Sequence, residues 1–347
     1  MQKKFKLIRV GIIGAGDSIV ETHLPRLTRI PNVELTGISN RTAKSAEKVA
    51  NRFKIPAVFS NWIELVKSDE VDAVVIGTWP YTHKDMVITS LNHGKHVLTQ
   101  ARMAMDSKQA HEMLKVSMNH PGLIAQIVPT HTPTILEEKA IINLINKGFI
   151  GKLVYLDAVQ NNGFYNQYSS PFWRKNIELS GYNVMSLGQI AEGLIRLFGP
   201  FSSVSAVTRL YNPKVVFTDG SSKLATVPDH AEVISQLDSG ITAHLRSSDV
   251  AGLGPSQLLI FGTEGVLKFD YNLKKLFGRQ KNEKDLYRIE IPGQDDEEFD
   301  VVDRFIDAIR GFTDVSHTTF EEGVRYMEFT EAVAISSKYG ERVDLPL

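Results

Sequence analysis

The sequence contains no cysteine among its 347 residues. This excludes disulfide bonds, thiolate nucleophiles and cysteine-ligated metal sites, and it is compatible with a cytoplasmic protein. No apolar run approaches the ~18 residues that a membrane-spanning helix needs. The first residues, MQKKFKLIRVGIIG, are basic and then apolar, but no small-residue cleavage site follows them. We therefore do not expect a signal peptide.

The sequence also lacks an excess of charge of either sign. Its 39 Lys and Arg residues nearly balance its 40 Asp and Glu residues, which leaves a net charge of −1. Without a basic block, nucleic acid is not expected as a main partner. No spacing of histidine and carboxylate residues indicates a metal site. The expected partner is a small molecule, with no membrane or nucleic acid involved.

The first part of the chain alternates strand and helix patterns. Short apolar runs, typical of buried strands, lie at 7–14, 33–39, 71–77, 96–99 and 123–128. Segments between these runs have apolar residues at helical spacing. Gly94 is predicted to follow the end of one helix, and Asp106 with Gln109 has the spacing of a capping box. This alternation predicts an α/β Rossmann domain with a parallel sheet over residues 1–128, which would bind a dinucleotide.

The pattern changes after residue 128. One helix is predicted at about 134–147, and strands with hairpin turns at 238–240 and 263–265 follow it. Further helical patterns lie at about 184–198, 299–311 and 321–339. The charge-rich stretch 274–300 is predicted to form a solvated edge. Residues 129–347 are therefore expected to form an α+β domain with a largely antiparallel open sheet, for substrate binding and oligomerisation.

A glycine pattern, GIIGAGDSI, follows the first predicted strand and opens a helix. Gly11 would let a helix pack close to the sheet, and Gly14 would make the tight turn. Gly16 would let the backbone approach a pyrophosphate at the helix N-terminus. Ile19 occupies the third glycine position of the G-x-G-x-x-G motif, which is a departure from it. A glycine-rich turn without a cofactor is the alternative.

The end of the second strand, ISNRT, indicates which dinucleotide binds. A carboxylate there would favour NAD, but none is present. Arg41 can pair with a 2′-phosphate, and Ser39 and Thr42 can donate hydrogen bonds to it. We therefore predict NADP, with NAD possible; an exposed Arg41 without a ligand is the alternative. The predicted cofactor-binding residues are Gly14, Gly16, Asp17, Ser39, Asn40, Arg41, Thr42, Thr78, Trp79 and Gln100. Trp79 is expected on the nicotinamide side.

Together these motifs resemble the Gfo/Idh/MocA family, named after glucose–fructose oxidoreductase and inositol dehydrogenase. GIIGAG, VDAVVIGTWPYTHKDMV, GKHVL, WRKNIELSG, LGQIAEGLIRLFGP and IFGTEGVLKFD occur in the family's order and at similar spacing over nearly the whole chain. The resemblance implies a Rossmann domain, a second α/β domain with an open sheet, and oligomers formed through that sheet. It also implies oxidation or reduction of sugars and polyols.

The chain departs from this family at the residues that usually carry protons. Where the family has Glu-Lys-Pro after GKHVL, this chain has Gln100, Ala101 and Arg102. Where the family has Asp-x-Gly-x-His, this chain has SLGQI, with Ser186 for the aspartate and Ile190 for the histidine. Hydride transfer to a carbonyl requires a proton for the developing alkoxide. The usual acid–base groups are missing, although Gly188 is kept.

Other residues are candidates for these roles. Arg102 is predicted to anchor an anion or oxyanion, with a surface ion pair as the alternative. His83 and His131 are candidate proton donors because they lie near predicted strand ends, although helix capping or packing for His83 and an ordinary loop position for His131 remain open. The predicted substrate-binding residues are Trp173, Arg174, Asn183 and Gln189.

Three functions remain open from the sequence. The first is an NADP-dependent oxidoreductase of a sugar-like or polyol substrate with a non-standard catalytic set. The second is a dinucleotide-binding sensor without turnover. The third is a lyase or glycosidase-like enzyme that uses the cofactor without net redox change. A homodimer or homotetramer is expected, because the resemblance implies it and an open sheet face needs to be covered.

Overall fold

The computed structural model describes residues 6–129, 135–163, 172–182, 186–217, 219–293, 301–315 and 317–347. His131 and Asn183, two of the predicted site residues, lie outside these ranges. The described residues form two compact units. Unit 1 comprises those of Met1–Pro129 and Asp300–Val324, and unit 2 those of Thr130–Phe299 and Arg325–Leu347. Within these ranges no helix combines the length and the apolar character needed to cross a membrane.

The secondary structure of the described residues alternates in the first third and becomes strand-rich later. The α-helices are α1 Leu24–Leu27, α2 Ala43–Phe53, α3 Trp62–Lys67, α4 Pro80–Asn92, α5 Ser107–Met118, α6 Ile135–Asn146, α7 Ile177–Ser180, α8 Leu187–Phe198, α9 Val301–Ile309 and α10 Phe320–Tyr339. The strands are β1 Ile8–Ile13, β2 Val33–Ser39, β3 Ala57–Val58, β4 Ala73–Ile76, β5 His96–Thr99, β6 Ala125–Ile127, β7 Leu153–Asn161, β8 Phe201–Arg209, β9 Lys214–Val216, β10 Ser222–Leu224, β11 His230–Leu237, β12 Thr242–Ser248, β13 Gln257–Gly262, β14 Gly265–Asp270, β15 Lys275–Gln280, β16 Tyr287–Ile289 and β17 Val343–Asp344.

Unit 1 contains a six-stranded sheet in the order β3-β2-β1-β4-β5-β6, with every neighbouring pair parallel. All four residues of β4 are buried, as expected for a strand covered on both faces. The strand order reverses between β1 and β4, and in such sheets ligands bind beyond the carboxyl ends of the strands at that point. The predicted parallel Rossmann sheet is confirmed. β3 and α3 were not predicted, because two and six residues are too short to show a periodic pattern.

Two helix ends in unit 1 have the caps that the sequence predicted. The Asp106 carboxylate caps α5 by accepting a hydrogen bond from the backbone N–H of Gln109 at 2.8 Å. Gly94 follows α4 with φ of +72°, the left-handed conformation that ends many helices. Each cap satisfies backbone groups that the helix itself leaves unpaired.

Unit 1 also contains a segment from late in the chain, Asp300–Val324. The Arg26 guanidinium donates to Asp303 of α9 at 2.6 Å. The backbones of Ile127 and Thr318 exchange two hydrogen bonds, at 3.0 and 3.3 Å, which join the segment to the edge strand β6. The division of the sequence after residue 128 had placed this segment in the second domain. The segment belongs to unit 1 because of these long-range contacts, which no local sequence pattern reveals.

Unit 2 contains a nine-stranded sheet in the order β16-β15-β14-β13-β7-β12-β11-β8-β17. Its neighbouring pairs are antiparallel except β7 and β12, which run parallel. The two predicted hairpins are present as β11–β12 and β13–β14. Side chains alternate across the sheet, so that Val233 is buried whereas Ile234 is 61% exposed. The prediction of a largely antiparallel sheet is confirmed, whereas α9, at one of the helical patterns predicted for this domain, belongs to unit 1.

Candidate functional site

The glycine turn of unit 1 lies directly after β1. Gly14 has φ of +78°, and a Cβ there would come within 2.4 Å of the Thr78 side chain. A Cβ on Gly16 would instead meet only the Gly77 carbonyl, at 3.9 Å. The protein itself therefore requires a glycine at 14, whereas the space above the exposed Gly16 is left open. This is the cradle that an approaching pyrophosphate needs at the start of a helix.

Gly77 compensates for the missing third glycine of the motif. Ile19 is buried in a π-helical segment, Ile19–His23, which continues into α1. A Cβ on Gly77 would lie 2.2 Å from Ile19 Cγ1 and 2.4 Å from the Gly14 carbonyl. The close approach of helix and sheet is thus provided by a glycine after β4. Sequence analysis missed this residue, although a glycine after a buried strand is a usable signal.

The carboxyl end of β2 holds the glycine turn in place. The Gly14 N–H donates to the Ser39 carbonyl at 2.9 Å. The Ala15 N–H donates to Asn40 Oδ1 at 2.8 Å. Asn40 was predicted to bind the cofactor, and its side chain carries out a related task by fixing the backbone of the turn. Ser39 is buried at the same strand end.

The residues after Asn40 are open to solvent. Arg41 and Thr42 are exposed, and the Arg41 guanidinium lies 5.6 Å from the centroid of the Trp79 ring. Trp79 therefore lies beside Arg41, because β2 and β4 flank β1 at the same sheet edge. Its place on the nicotinamide side stays a prediction. Thr42 caps α2 by accepting from the Ser45 N–H at 3.3 Å. Asp17 is exposed in the turn.

Gln100 lies at the carboxyl end of β5 and contacts the start of the first helical segment. Its Nε2 donates to His23 Nε2 at 2.9 Å and to Ser18 Oγ at 3.3 Å. His23 is buried. Sequence analysis did not select His23, because only the π-helical geometry, in which residues five apart are paired, brings Ser18 and His23 to one face. Gln100 thus joins the glycine turn to β5.

His83 is enclosed by the protein. Its ring is fully buried, with Nδ1 2.8 Å from the Arg102 carbonyl and Nε2 3.0 Å from the Thr78 carbonyl. Burial lowers the pKa of the imidazole, and its backbone hydrogen bonds oppose that shift. This differs from the predicted catalytic role, because both ring nitrogens face backbone oxygens and neither faces solvent. The geometry gives His83 a positioning role between the loops after β4 and β5.

The segment after β5, with Ala101 and Arg102, is largely inside unit 1. The Arg102 side chain is 8% exposed, and Met103 and Ala104 are fully buried. The Met103 sulfur would lie only 2.6 Å from a Cβ on Gly323, so this glycine admits the thioether. Arg102 is therefore not part of an exposed surface ion pair. A guanidinium held this far from solvent interacts strongly with an anion.

Three of the predicted substrate residues, Trp173, Arg174 and Gln189, lie among the described residues of unit 2. The Arg174 guanidinium lies 4.6 Å from the centroid of the Trp173 ring, and Gln189 is exposed on α8. Ile190, which the resemblance predicts at the position of the family histidine, is buried in the core of unit 2, and its side chain cannot exchange protons. Ser186 precedes α8 and accepts a hydrogen bond from Asn162 Nδ2 at 2.9 Å.

Comparisons with known proteins decide the family. The model of the oxidoreductase family with the NAD-binding Rossmann fold, GFO_IDH_MocA, matches residues 8–125. The model of the GFO/IDH/MocA C-terminal domain matches residues 139–268. The chain belongs to the Gfo/Idh/MocA family of oxidoreductases.

Individual Gfo/Idh/MocA relatives agree with this assignment. The chain is 27% identical over 268 residues to scyllo-inositol 2-dehydrogenase (NADP(+)) of Bacillus subtilis, which covers 76% of each protein. It is 24% identical over 263 residues to trans-1,2-dihydrobenzene-1,2-diol dehydrogenase of Xenopus tropicalis, covering 74% of each. Both relatives are dehydrogenases by name.

Solved structures share the fold. Levoglucosan dehydrogenase in complex with NADH and L-sorbose has a TM-score of 0.84 at 17% identity, covering 98% of this chain and 99% of that one. An NAD-binding oxidoreductase from Klebsiella pneumoniae has a TM-score of 0.81 at 21% identity, covering 98% and 100%. At such identities the likeness establishes the Gfo/Idh/MocA fold and nothing about substrate or cofactor preference.

Proposed function

We propose that this protein is an NADP-dependent oxidoreductase that acts on a sugar-like or polyol substrate. The observation that carries the cofactor preference is the end of β2, where Arg41 is exposed and no carboxylate follows the strand. An acidic residue at this point would accept hydrogen bonds from a ribose hydroxyl and would repel a 2′-phosphate. The Bacillus subtilis relative that is named for NADP(+) supports the same preference.

The residues of the turn fit a dinucleotide. Gly16 leaves space that a side chain would fill, and the N–H groups of the first helical turn have no partner within the helix. The fixed turn, held by Asn40 and the Ser39 carbonyl, would receive the pyrophosphate, and Arg41 would pair with the 2′-phosphate. When bound, the dinucleotide supplies or accepts a hydride. Gln100 and Arg102 would line the strand end beyond it, with Arg102 stabilising an anionic oxygen.

Titration by fluorescence tests the cofactor preference. We expect NADPH to bind more tightly than NADH, and Arg41→Ala to weaken NADPH binding by roughly 10- to 100-fold, as for loss of a charged hydrogen bond. NADH binding should stay unchanged. Arg52→Ala is the matched control, because Arg52 is also exposed and forms an ion pair with Glu21. Equal affinities of the wild type for the two nucleotides would remove the Arg41 argument.

A non-catalytic binding protein is the second candidate function. Ala101, Ser186 and Ile190 favour it, since none of them replaces the family's lysine, aspartate or histidine as an acid. A panel of sugars, polyols and glycosides, with NADPH absorbance and product analysis recorded together, separates the alternatives. A net change in NADPH supports the oxidoreductase. Product without net change supports a lyase or glycosidase-like enzyme, and ligand binding without product supports a sensor.

A further inference from the structure

His23 is a buried histidine of unit 1 that the proposed function leaves without a role. It ends the π-helical segment Ile19–His23, and it is only 1% exposed. Its Nε2 lies 2.9 Å from Nε2 of Gln100, the residue that follows β5. A buried polar group that holds a residue of a binding site determines how precisely that residue meets a ligand. His23 is therefore placed to control Gln100.

The hydrogen bonds of Gln100 hold its amide group in one orientation. The backbone N–H donates to the Ile76 carbonyl at 2.9 Å, which fixes the main chain against β4. In the side chain, Nε2 donates to His23 Nε2 at 2.9 Å and to Ser18 Oγ at 3.3 Å, so both amide hydrogens are used. Within the described residues, Gln100 Oε1 accepts no hydrogen bond. The carbonyl oxygen is therefore the group that Gln100 offers to a ligand.

The position of the proton on His23 decides this orientation. A neutral imidazole has one N–H group and one bare nitrogen, and only a bare Nε2 can accept from the Gln100 amide. If Nε2 carried a proton, the amide would have to turn its oxygen towards His23. Gln100 would then offer N–H groups to a ligand in place of an acceptor. His23 thus selects whether the end of β5 accepts or donates a hydrogen bond.

The strand order indicates which part of a dinucleotide would reach Gln100. β2, with Arg41 after its end, lies on one side of β1, and β4 and β5 lie on the other side. With the 2′-phosphate at Arg41 and the pyrophosphate at Gly16, the nicotinamide half would extend towards β5. The carboxamide of the nicotinamide ring carries an NH₂ group, which can donate to a carbonyl oxygen. An acceptor at Gln100 matches this group.

We propose that His23 is a positioning residue for the cofactor. By accepting a hydrogen bond from Gln100 Nε2, it keeps Gln100 Oε1 available as the acceptor for the nicotinamide carboxamide. The inference rests on the dinucleotide binding of the proposed function, but it holds for NADP and NAD alike. It requires neither turnover nor a particular substrate.

Calorimetric titration with NADP⁺ and with its 3-acetylpyridine analogue, in which a methyl group replaces the carboxamide nitrogen, tests the proposal. We expect the wild type to bind NADP⁺ about 3- to 10-fold more tightly than the analogue, as for one neutral hydrogen bond. Gln100→Met and His23→Phe should each abolish this preference. His23→Gln, which supplies an amide oxygen in place of the imidazole Nε2, should keep most of it. If the wild type prefers NAD⁺, the same comparison is made with NAD⁺ and its acetylpyridine analogue.

His96→Phe is the matched control for His23→Phe. His96 begins β5, at the end opposite Gln100, and its Nδ1 accepts from the Ile124 N–H at 2.9 Å. Its loss should leave the preference for the carboxamide unchanged.

¹⁵N NMR of the nucleotide-free protein gives a second measurement, and it should show His23 Nε2 without a proton. A proton on Nε2, or the full preference in folded His23→Phe or Gln100→Met, overturns the inference. A wild type that binds both nucleotides of a pair equally also overturns it and leaves cofactor binding standing. A wild type that binds no dinucleotide contradicts the proposed function as well.

Discussion

Arg102 carries the predicted role of anion or oxyanion anchor after β5. Its side chain is 8% exposed, so its charge is poorly screened by water. We expect Arg102→Met to lower kcat by about 100-fold, as for loss of one oxyanion donor, with NADPH affinity nearly unchanged. Arg102→Lys, which keeps the charge, should retain part of the rate. If Arg102→Met lowers the melting temperature but leaves turnover and ligand affinity intact, the residue is structural.

Ala101 offers the complementary test at the neighbouring position. The resemblance predicts a lysine where this chain has Ala101, and an alanine cannot donate a proton. Ala101→Lys should raise turnover with a sugar or polyol in steady-state assays if the pocket otherwise keeps the family's arrangement. An unchanged rate across the panel would show that the pocket has been rebuilt for another ligand.

His83 connects protonation to stability. Burial lowers the pKa of its imidazole below the ordinary value of about 6.5, so the folded protein holds the ring neutral where the unfolded chain takes up a proton. We therefore expect the free energy of unfolding to fall as the pH drops below about 6.5. Denaturant unfolding at several pH values should show a shallower decline in His83→Gln. His96 shifts in the same direction, so the slope should diminish without vanishing. Equal slopes in both proteins would contradict this role.

At the scale of elements, the contact between the first helical segment and β4 depends on Gly77. A Cβ there would clash with Ile19 Cγ1 at 2.2 Å, so Gly77→Ala must displace either the helix or the glycine turn. We expect a loss of roughly 1–3 kcal/mol in the free energy of unfolding, measured by denaturant titration, and weaker NADPH binding. Ile19→Ala in the same chain should restore part of both.

Gly122→Ala is the control for Gly77→Ala, because nothing lies within 4 Å of a Cβ there. It should leave stability and NADPH binding nearly unchanged. If both alanine variants behaved alike, the close packing of Ile19 against Gly77 would not be what holds the turn. The first helical segment would then owe its position to the Gln100 hydrogen bonds.

At the scale of the whole molecule, the expected assembly is a homodimer or homotetramer through the exposed face of the nine-stranded sheet. Ile234 and Val207 on that face are 61% and 53% exposed, and the rings of Tyr155 and Phe261 stack across strands at 5.5 Å. Exposed apolar side chains on a sheet favour association. Light scattering at micromolar concentration should give a multiple of the monomer mass of 38.7 kDa.

Ile234→Lys should shift the light-scattering mass towards the monomer by placing a charge on the sheet face. Leu273→Lys is the matched control, since Leu273 is also 61% exposed but follows β14 in a turn. A wild-type monomer at micromolar concentration would contradict the expected assembly. The cytoplasmic location stays a prediction from composition.

The sequence by itself determined the features that depend on local periodicity and on short motifs. Buried apolar runs predicted the parallel strands of unit 1, and the glycine turn with Arg41 placed the cofactor end of the sheet, because the strand and the turn are encoded by adjacent residues. The departures at Ala101, Ser186 and Ile190 are likewise expectations from the sequence alone. The proposed catalytic, cofactor and substrate roles of individual residues remain predictions.

Only the tertiary structure decided which distant residues meet. It placed Gly77 against Ile19, Gln100 against His23, and Lys175 against Asp249. The members of these pairs lie 58, 77 and 74 residues apart in the sequence. It also enclosed His83 between two carbonyls, where the sequence had suggested a proton donor. The physical reason is that such contacts depend on strand order and on π-helical geometry, and neither leaves a periodic signal in the local sequence.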